Sequence, residues 1–147
     1  MLELTPSQKR QARILVLQAT YAFELAESKV DSTYEHMIDM NKPPMPAVLK
    51  YSQHLSQKTI KHISEIDKLI RAHVKNWDFK RIALMDKLIL RMMLTEMLYE
   101  DSVPPKVSIS EGVEIAKEFS TKDSSGFVNG ILDSVYNEWL KGRIKTI

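Results

Sequence analysis

The chain has no cysteine and only four glycines in 147 residues. Without cysteine there is no disulfide, no thiolate metal site and no thiol nucleophile. The glycines, Gly112, Gly126, Gly130 and Gly142, never gather into a phosphate-cradling loop, which excludes a P-loop or a dinucleotide-binding turn. No apolar run approaches the ~20 residues that span a bilayer. Glu3 stands where a secretory leader carries positive charge, and no small-residue cleavage site follows, so the expected location is the cytoplasm, without membrane contact. The few histidines, His36, His54, His62 and His73, reach no metal-ligand spacing on one helix face; no metal and no cofactor are expected. Carboxylates are plentiful, but nothing marks a pair of them for acid/base work, so no catalytic residue is assigned and an enzyme is not expected.

What remains is an ordinary globular composition, 44% apolar and 27% charged, in a length suited to one domain with a real core. The formal net charge is only +2, so attraction to nucleic acid must come from local clustering. Lys9, Arg10 and Arg13 crowd the first helix, and Lys141, Arg143 and Lys145 crowd the C-terminal tail.

The apolar periodicity is helical throughout, with no sustained strand alternation. Thr5-Pro6-Ser7-Gln8 is a capping box with proline at the first helical position, and opens a helix expected to reach about Ala26. Ala12, Leu15, Val16, Ala19, Ala22, Phe23 and Ala26 form its core face. A second stripe, Ile14, Leu17, Tyr21 and Leu25, lies about 155° away; packing between neighbours is expected for Leu17 and Leu25, whereas an interface role and a packing role weigh equally for Tyr21. Ser32-Thr33-Tyr34-Glu35 opens a short helix that Lys42-Pro43-Pro44-Met45-Pro46 ends, and one long helix is expected from Ala47 to Val74. Asp78 is read as the cap of a helix from Phe79 to Tyr99, apolar nearly all round, with Met85, Met92, Met93 and Met97 as adaptable core. Asp101 to Pro105 ends it, Ser108 and Glu111 offer a third capping box, Ser120 to Gly126 reads as a polar loop, and Gly142 stops the last helix. The expectation is an all-α bundle of six to seven helices in two small subdomains, about 5–75 and about 76–141.

Two charges on the apolar helix, Asp86 and Arg91, are costly unless partnered. They lie about 140° apart and cannot serve each other, so an internal ion pair with another element is expected for Arg91.

Three blocks carry a family resemblance: KRQARILVLQATYAFEL near the start, RIALMDKLILRMMLTEMLYED in the middle, and PPKVSISEGVEIAKEFSTKDSSGFVNGILD near the end. In this order they resemble the basic opening helix, central helix and C-terminal signature of NusB, a family of RNA-binding transcription antitermination factors. The residues alone leave Lys9, Arg10 and Arg13 as a solvated helix end, and leave Phe127 as a hydrophobic staple with Ser124 or Asn129 as cap. The resemblance implies instead that Lys9, Arg10 and Arg13 lie along an RNA backbone, and that Asp123, Ser124, Phe127 and Asn129 face RNA, the ring stacking on a base and the Asp123 carboxylate tempering affinity. It further implies that Tyr21 and Asp86 contact NusE, a small-subunit ribosomal protein, and that the pair binds single-stranded boxA-like RNA in ribosomal RNA leaders within an RNA polymerase antitermination complex. Two departures stand out. Gly126 occupies a position that is basic in many members, and Ser110-Glu111-Gly112 replaces the more usual Asn-Glu-Ala. Rival readings are the N-terminal domain of an rRNA cytosine methyltransferase, against which stand the lack of strand pattern and of a glycine-rich cofactor loop, and a helical adaptor or homodimer.

Overall fold

The Thr5 hydroxyl accepts from the Gln8 N–H at 3.1 Å while the Gln8 side chain accepts from the Thr5 N–H at 2.9 Å. This reciprocal box starts helix α1 (Pro6–Ala26) at the proline, as its spacing predicts. The computed structural model describes residues 4–26, 34–35, 43–74 and 78–144. Ser32 and Thr33 of the box expected at Ser32-Thr33-Tyr34-Glu35, together with His36, Lys42, Lys145 and the side chain of Ala26, lie outside them. Among the described residues there are α-helices and one 3-10 turn, no strand, and no helix long and apolar enough to cross a membrane.

Two units divide the chain, Met1–Lys61 and His62–Ile147. In the first, α1 packs with α2 (Pro46–Lys61). Ala12, Val16 and Ala19 are fully buried, as is Leu17 very nearly, but Leu25 is 58% exposed, contrary to the packing expected of it at the end of its stripe. Tyr34 is buried against Ala19 and Leu49, and its hydroxyl hydrogen-bonds to that of Ser52; burial pushes that phenol up from its ordinary pKa.

The second unit begins where one long helix was expected. His62 leaves helical geometry at φ −102° and ψ 13°, separating α2 from α3 (Ile63–His73). Its ring lies parallel to Tyr99 at 3.9 Å, and Tyr99 donates to Glu65 at 2.9 Å. Burial, and then this carboxylate holding the proton, push the Tyr99 hydroxyl up to about 12. Helical periodicity carries no record of such a contact, which is why the break is not visible in it. Asp78 accepts from the Lys80 N–H at 3.2 Å, but caps only the 3-10 turn Phe79–Arg81; extended backbone at Ile82 and Ala83 delays helix α4 (Leu84–Tyr99).

Helix α5 (Pro105–Phe119) starts at Pro105, whose ring suits the first helical position, so Ser108 is no cap. It lies buried inside the helix and donates to Glu96 at 2.8 Å. Helix α6 (Ser124–Leu140) begins earlier than the expected loop end, which takes Gly126 and Phe127 into its first turn. It closes on Gly142 at φ +72°, with the Gly142 N–H on the Trp139 carbonyl and the Arg143 N–H on that of Glu138, a left-handed stop of the kind glycine favours.

Arg91 forms its ion pair with Asp67 of α3 through two bonds, Nε at 2.8 Å and Nη2 at 3.0 Å. Gly112 explains itself by space. A Cβ there would sit 2.9 Å from Leu132 Cδ1 and 3.0 Å from Met93 Cγ, both on fully buried side chains, so α5 approaches α4 and α6 more closely than alanine permits. Gly112→Ala gains about 1 kcal/mol of helix propensity but incurs about 1–3 kcal/mol of overpacking. Urea unfolding is expected to show a net loss; a clear gain in midpoint would contradict the close approach.

Candidate nucleic-acid interface

The connection between α5 and α6 is short, four residues from Ser120 to Asp123, and it is held from beneath. Asp86 is only 7% exposed at the start of α4 and accepts from the Ser120 hydroxyl at 2.6 Å and the Ser124 hydroxyl at 2.9 Å, one on each carboxylate oxygen. Each serine has a single hydroxyl proton, so with both spent on Asp86 it is Thr121 that donates in the 2.8 Å contact with Ser124. A hydroxyl chain ending on a charged acceptor thus replaces an ordinary cap. Asp123, at the cap position, has no side-chain hydrogen bond to the helix and stands exposed.

Above this brace opens a cavity of about 310 Å³ lined by Arg81, Ile82, Ala83, Asp86, Thr121, Asp123, Ser124 and Phe127. Its chemistry is mixed: an aromatic ring and aliphatic wall, one guanidinium, and two carboxylates of which one is already engaged. Phe127 is half-buried, with its ring on the cavity wall. Gly126 beside it is exposed, and a Cβ there would meet nothing within 4 Å. Among the described residues no three His, Cys, Asp or Glu side chains gather to hold a metal ion.

Set against the sequence expectations, the structure brings Asp86, Asp123, Ser124 and Phe127 to one cavity. Asn129 is exposed further along α6, outside the lining, and caps nothing. Two assignments change. Ser124 is 4% exposed and faces Asp86, so it positions the loop instead of presenting a hydroxyl to a ligand. Asp86, expected on a partner surface, is buried under that loop. The reason is the same for both: each satisfies the other away from water.

In the first unit, Arg10 is exposed and Lys9 half-buried at the head of α1, whereas Arg13 is 1% exposed. Among the described residues no buried side-chain nitrogen or oxygen lacks a hydrogen-bond partner, so Arg13 is engaged inside the protein and is not available to lie along a phosphate chain. A wheel assigns angle, not depth, which is why the three cations looked equivalent. Tyr21 is 43% exposed, compatible with a contact surface. Reading the sequence missed Arg81, Ser120 and Thr121; the Phe79-Lys80-Arg81 run, an aromatic followed by two cations, was the available signal.

Three comparisons bear on this geometry. The model of the NusB family matches residues 10–137. A transcription antitermination protein NusB of Chloroherpeton thalassium is 43% identical over 130 residues, 88% of this chain, and this chain spans 62% of that relative's length. Among solved structures, NusB of T. maritima superposes with a TM-score of 0.81 at 27% identity, covering 93% of this chain and 94% of that one. A structure of the antitermination factors NusB and NusE in complex with double-stranded RNA superposes with a TM-score of 0.74 at 22% identity, covering 89% of this chain and 97% of the matched one. At that identity it shares the fold.

The brace is testable by stability. Asp86→Ala removes the acceptor of two serine protons and is expected to destabilise by about 3 kcal/mol, with Asp86→Asn, which keeps one acceptor oxygen, losing less. Chemical denaturation measures both, and an Asp86→Ala protein as stable as its parent would show that the serine contacts carry no weight.

Proposed function

Since the chain belongs to the NusB family, whose model matches it from residue 10 to residue 137, we propose that it is a transcription antitermination factor. It binds single-stranded boxA-type RNA of ribosomal RNA leaders together with NusE, and the complex joins elongating RNA polymerase to suppress premature termination. The observation that carries this reading is the braced loop, which holds the half-buried Phe127 ring at the edge of an open cavity on a chain of this family.

The mechanism is recognition without catalysis. Lys9 and Arg10 at the head of α1 position the phosphate backbone, a sequence-independent contribution that salt weakens. Phe127 offers a face on which an unpaired base stacks, worth about 1–3 kcal/mol in comparable single-strand sites. Asn129, exposed on α6, supplies polar contacts, while the exposed Asp123 carboxylate repels phosphate and keeps affinity moderate. Gly126 leaves the position before the ring without a cation. Arg13 and Ser124 act from inside by shaping α1 and the loop, and Asp86 serves the partner surface only through that loop. Tyr21 contributes its exposed ring to NusE. The RNA and NusE complex of a NusB with this fold supports the pairing. Two incomplete surfaces joined on one strand bind more tightly than either alone.

The test is binding of a boxA-type single strand and a scrambled control across a salt series, with and without NusE. Lys9→Gln with Arg10→Gln is expected to weaken both RNAs alike and to lower the salt slope by about 1.4, near 0.7 for each phosphate that is no longer neutralised. Phe127→Ala is expected to lose the preference for boxA, and Asp123→Asn to tighten both RNAs. A full-strength preference in Phe127→Ala, together with an unchanged slope in the basic double variant, would sink the reading.

A further inference from the structure

On the segment from α3 to the start of α4 the cations are exposed or half-buried, while most of the carboxylates are engaged. Its cations are Lys68 and Arg71 on α3, Lys80 and Arg81 in the 3-10 turn, and Lys87 on α4. Its carboxylates are largely consumed. Asp67 is locked onto Arg91, Asp86 lies under Ser120 and Ser124, Glu65 accepts from Tyr99, and Asp78 accepts from the Lys80 backbone. Arg71, Lys80 and Arg81 are exposed.

These cations are also organised. The Arg71 guanidinium lies 4.3 Å from the centre of the Phe79 ring and the Lys87 ammonium 4.6 Å from it, so one aromatic gathers cations from two helices. A ring holds a cation by its face without neutralising it, unlike a carboxylate, so both charges stay available to an anion. The next two residues of the same turn are Lys80 and Arg81, and Arg81 lines the cavity that Phe127 lines. A cationic path therefore runs out of the candidate base-binding cavity, through Arg81 and Lys80, to the Phe79 cluster.

We propose that this ridge is a second RNA track, along which the strand engaged at Phe127 continues, with its phosphates on Arg81, Lys80, Lys87 and Arg71. The inference rests on the RNA reading of the Phe127 cavity and extends its footprint. Phosphate is the fitting ligand because the track offers charge and an aromatic edge but few acceptors, the composition of a backbone-following groove for single strands. It also supplies, from the 3-10 turn, α3 and α4, cations of the sort that Gly126 does not provide.

The test uses the full chain and three RNAs: a boxA-type strand, and the same strand extended by about four nucleotides upstream or downstream, a length within the site sizes of single-strand grooves. One of the two extensions is expected to tighten binding about three- to tenfold and to steepen the salt slope by about 1.4, as for two more neutralised phosphates. Lys80→Gln with Arg71→Gln removes that gain and leaves binding of the unextended strand within about twofold, while Lys106→Gln, an exposed cation on α5, retains it. The two substituted side chains are exposed, and unchanged thermal melting checks that the turn is intact. No gain from either extension, a gain that survives the double variant, or a gain that disappears equally in Lys106→Gln overturns the track while leaving the function reading to the unextended strand. Failure of all three RNAs to bind overturns both.

Discussion

A helix buried along nearly its whole length must still place its charges, and in the second unit this requirement organises everything around it. Helix α4 buries Asp86, Arg91 and Glu96, each five residues after the last. Five residues rotate a helix by about 140°, so the three side chains leave α4 in three directions. Each meets a different element: Ser120 and Ser124 at the entry to α6, Asp67 on α3, and Ser108 on α5. An unpartnered buried charge costs several kcal/mol, so each pairing favours one placement of its neighbour over the alternatives that apolar packing alone would tolerate. Gly112 then lets α5 settle against Met93 and Leu132, where a Cβ would meet their side chains at 3.0 and 2.9 Å.

The proposed function depends on where these anchors point. The Asp86 anchor holds the short loop before α6, and with it the approach to Phe127 and the cavity below Asp123. The Arg91 anchor fixes α3, whose Arg71 reaches the Phe79 ring. The single-strand surface proposed above gains from such rigidity, because the ordering of the protein is settled before the ligand arrives. Only the strand has then to be ordered.

Much of this was legible in the residues, and what was not has a common cause. The Thr5 and Gln8 box and the Gly142 stop were legible because their partners lie within a few positions in sequence. The helical class followed from periodicity, and the Arg91 pair from the cost of leaving that charge alone. The errors are tertiary. Nothing local distinguishes Arg13 from Lys9 or Arg10, yet Arg13 alone is fully buried. Ser108 fits a capping pattern, but Pro105 starts the helix earlier and Glu96 claims the hydroxyl. Asp86 was expected to need a partner, but its two serines lie more than thirty positions away and the resemblance pointed to a partner surface instead. Phe127 lines the cavity although the loop expected before it has already become helix.

The central claim is that the anchors on α4 act separately, each holding its own neighbour. Amide hydrogen exchange across the whole chain, compared between Asp86→Ala and Asp67→Ala, tests it most directly. The account predicts that Asp86→Ala speeds exchange chiefly in the first turns of α6 and that Asp67→Ala does so chiefly in α3. Acceleration spread evenly over all helices in both proteins, or none in the facing element, would contradict it.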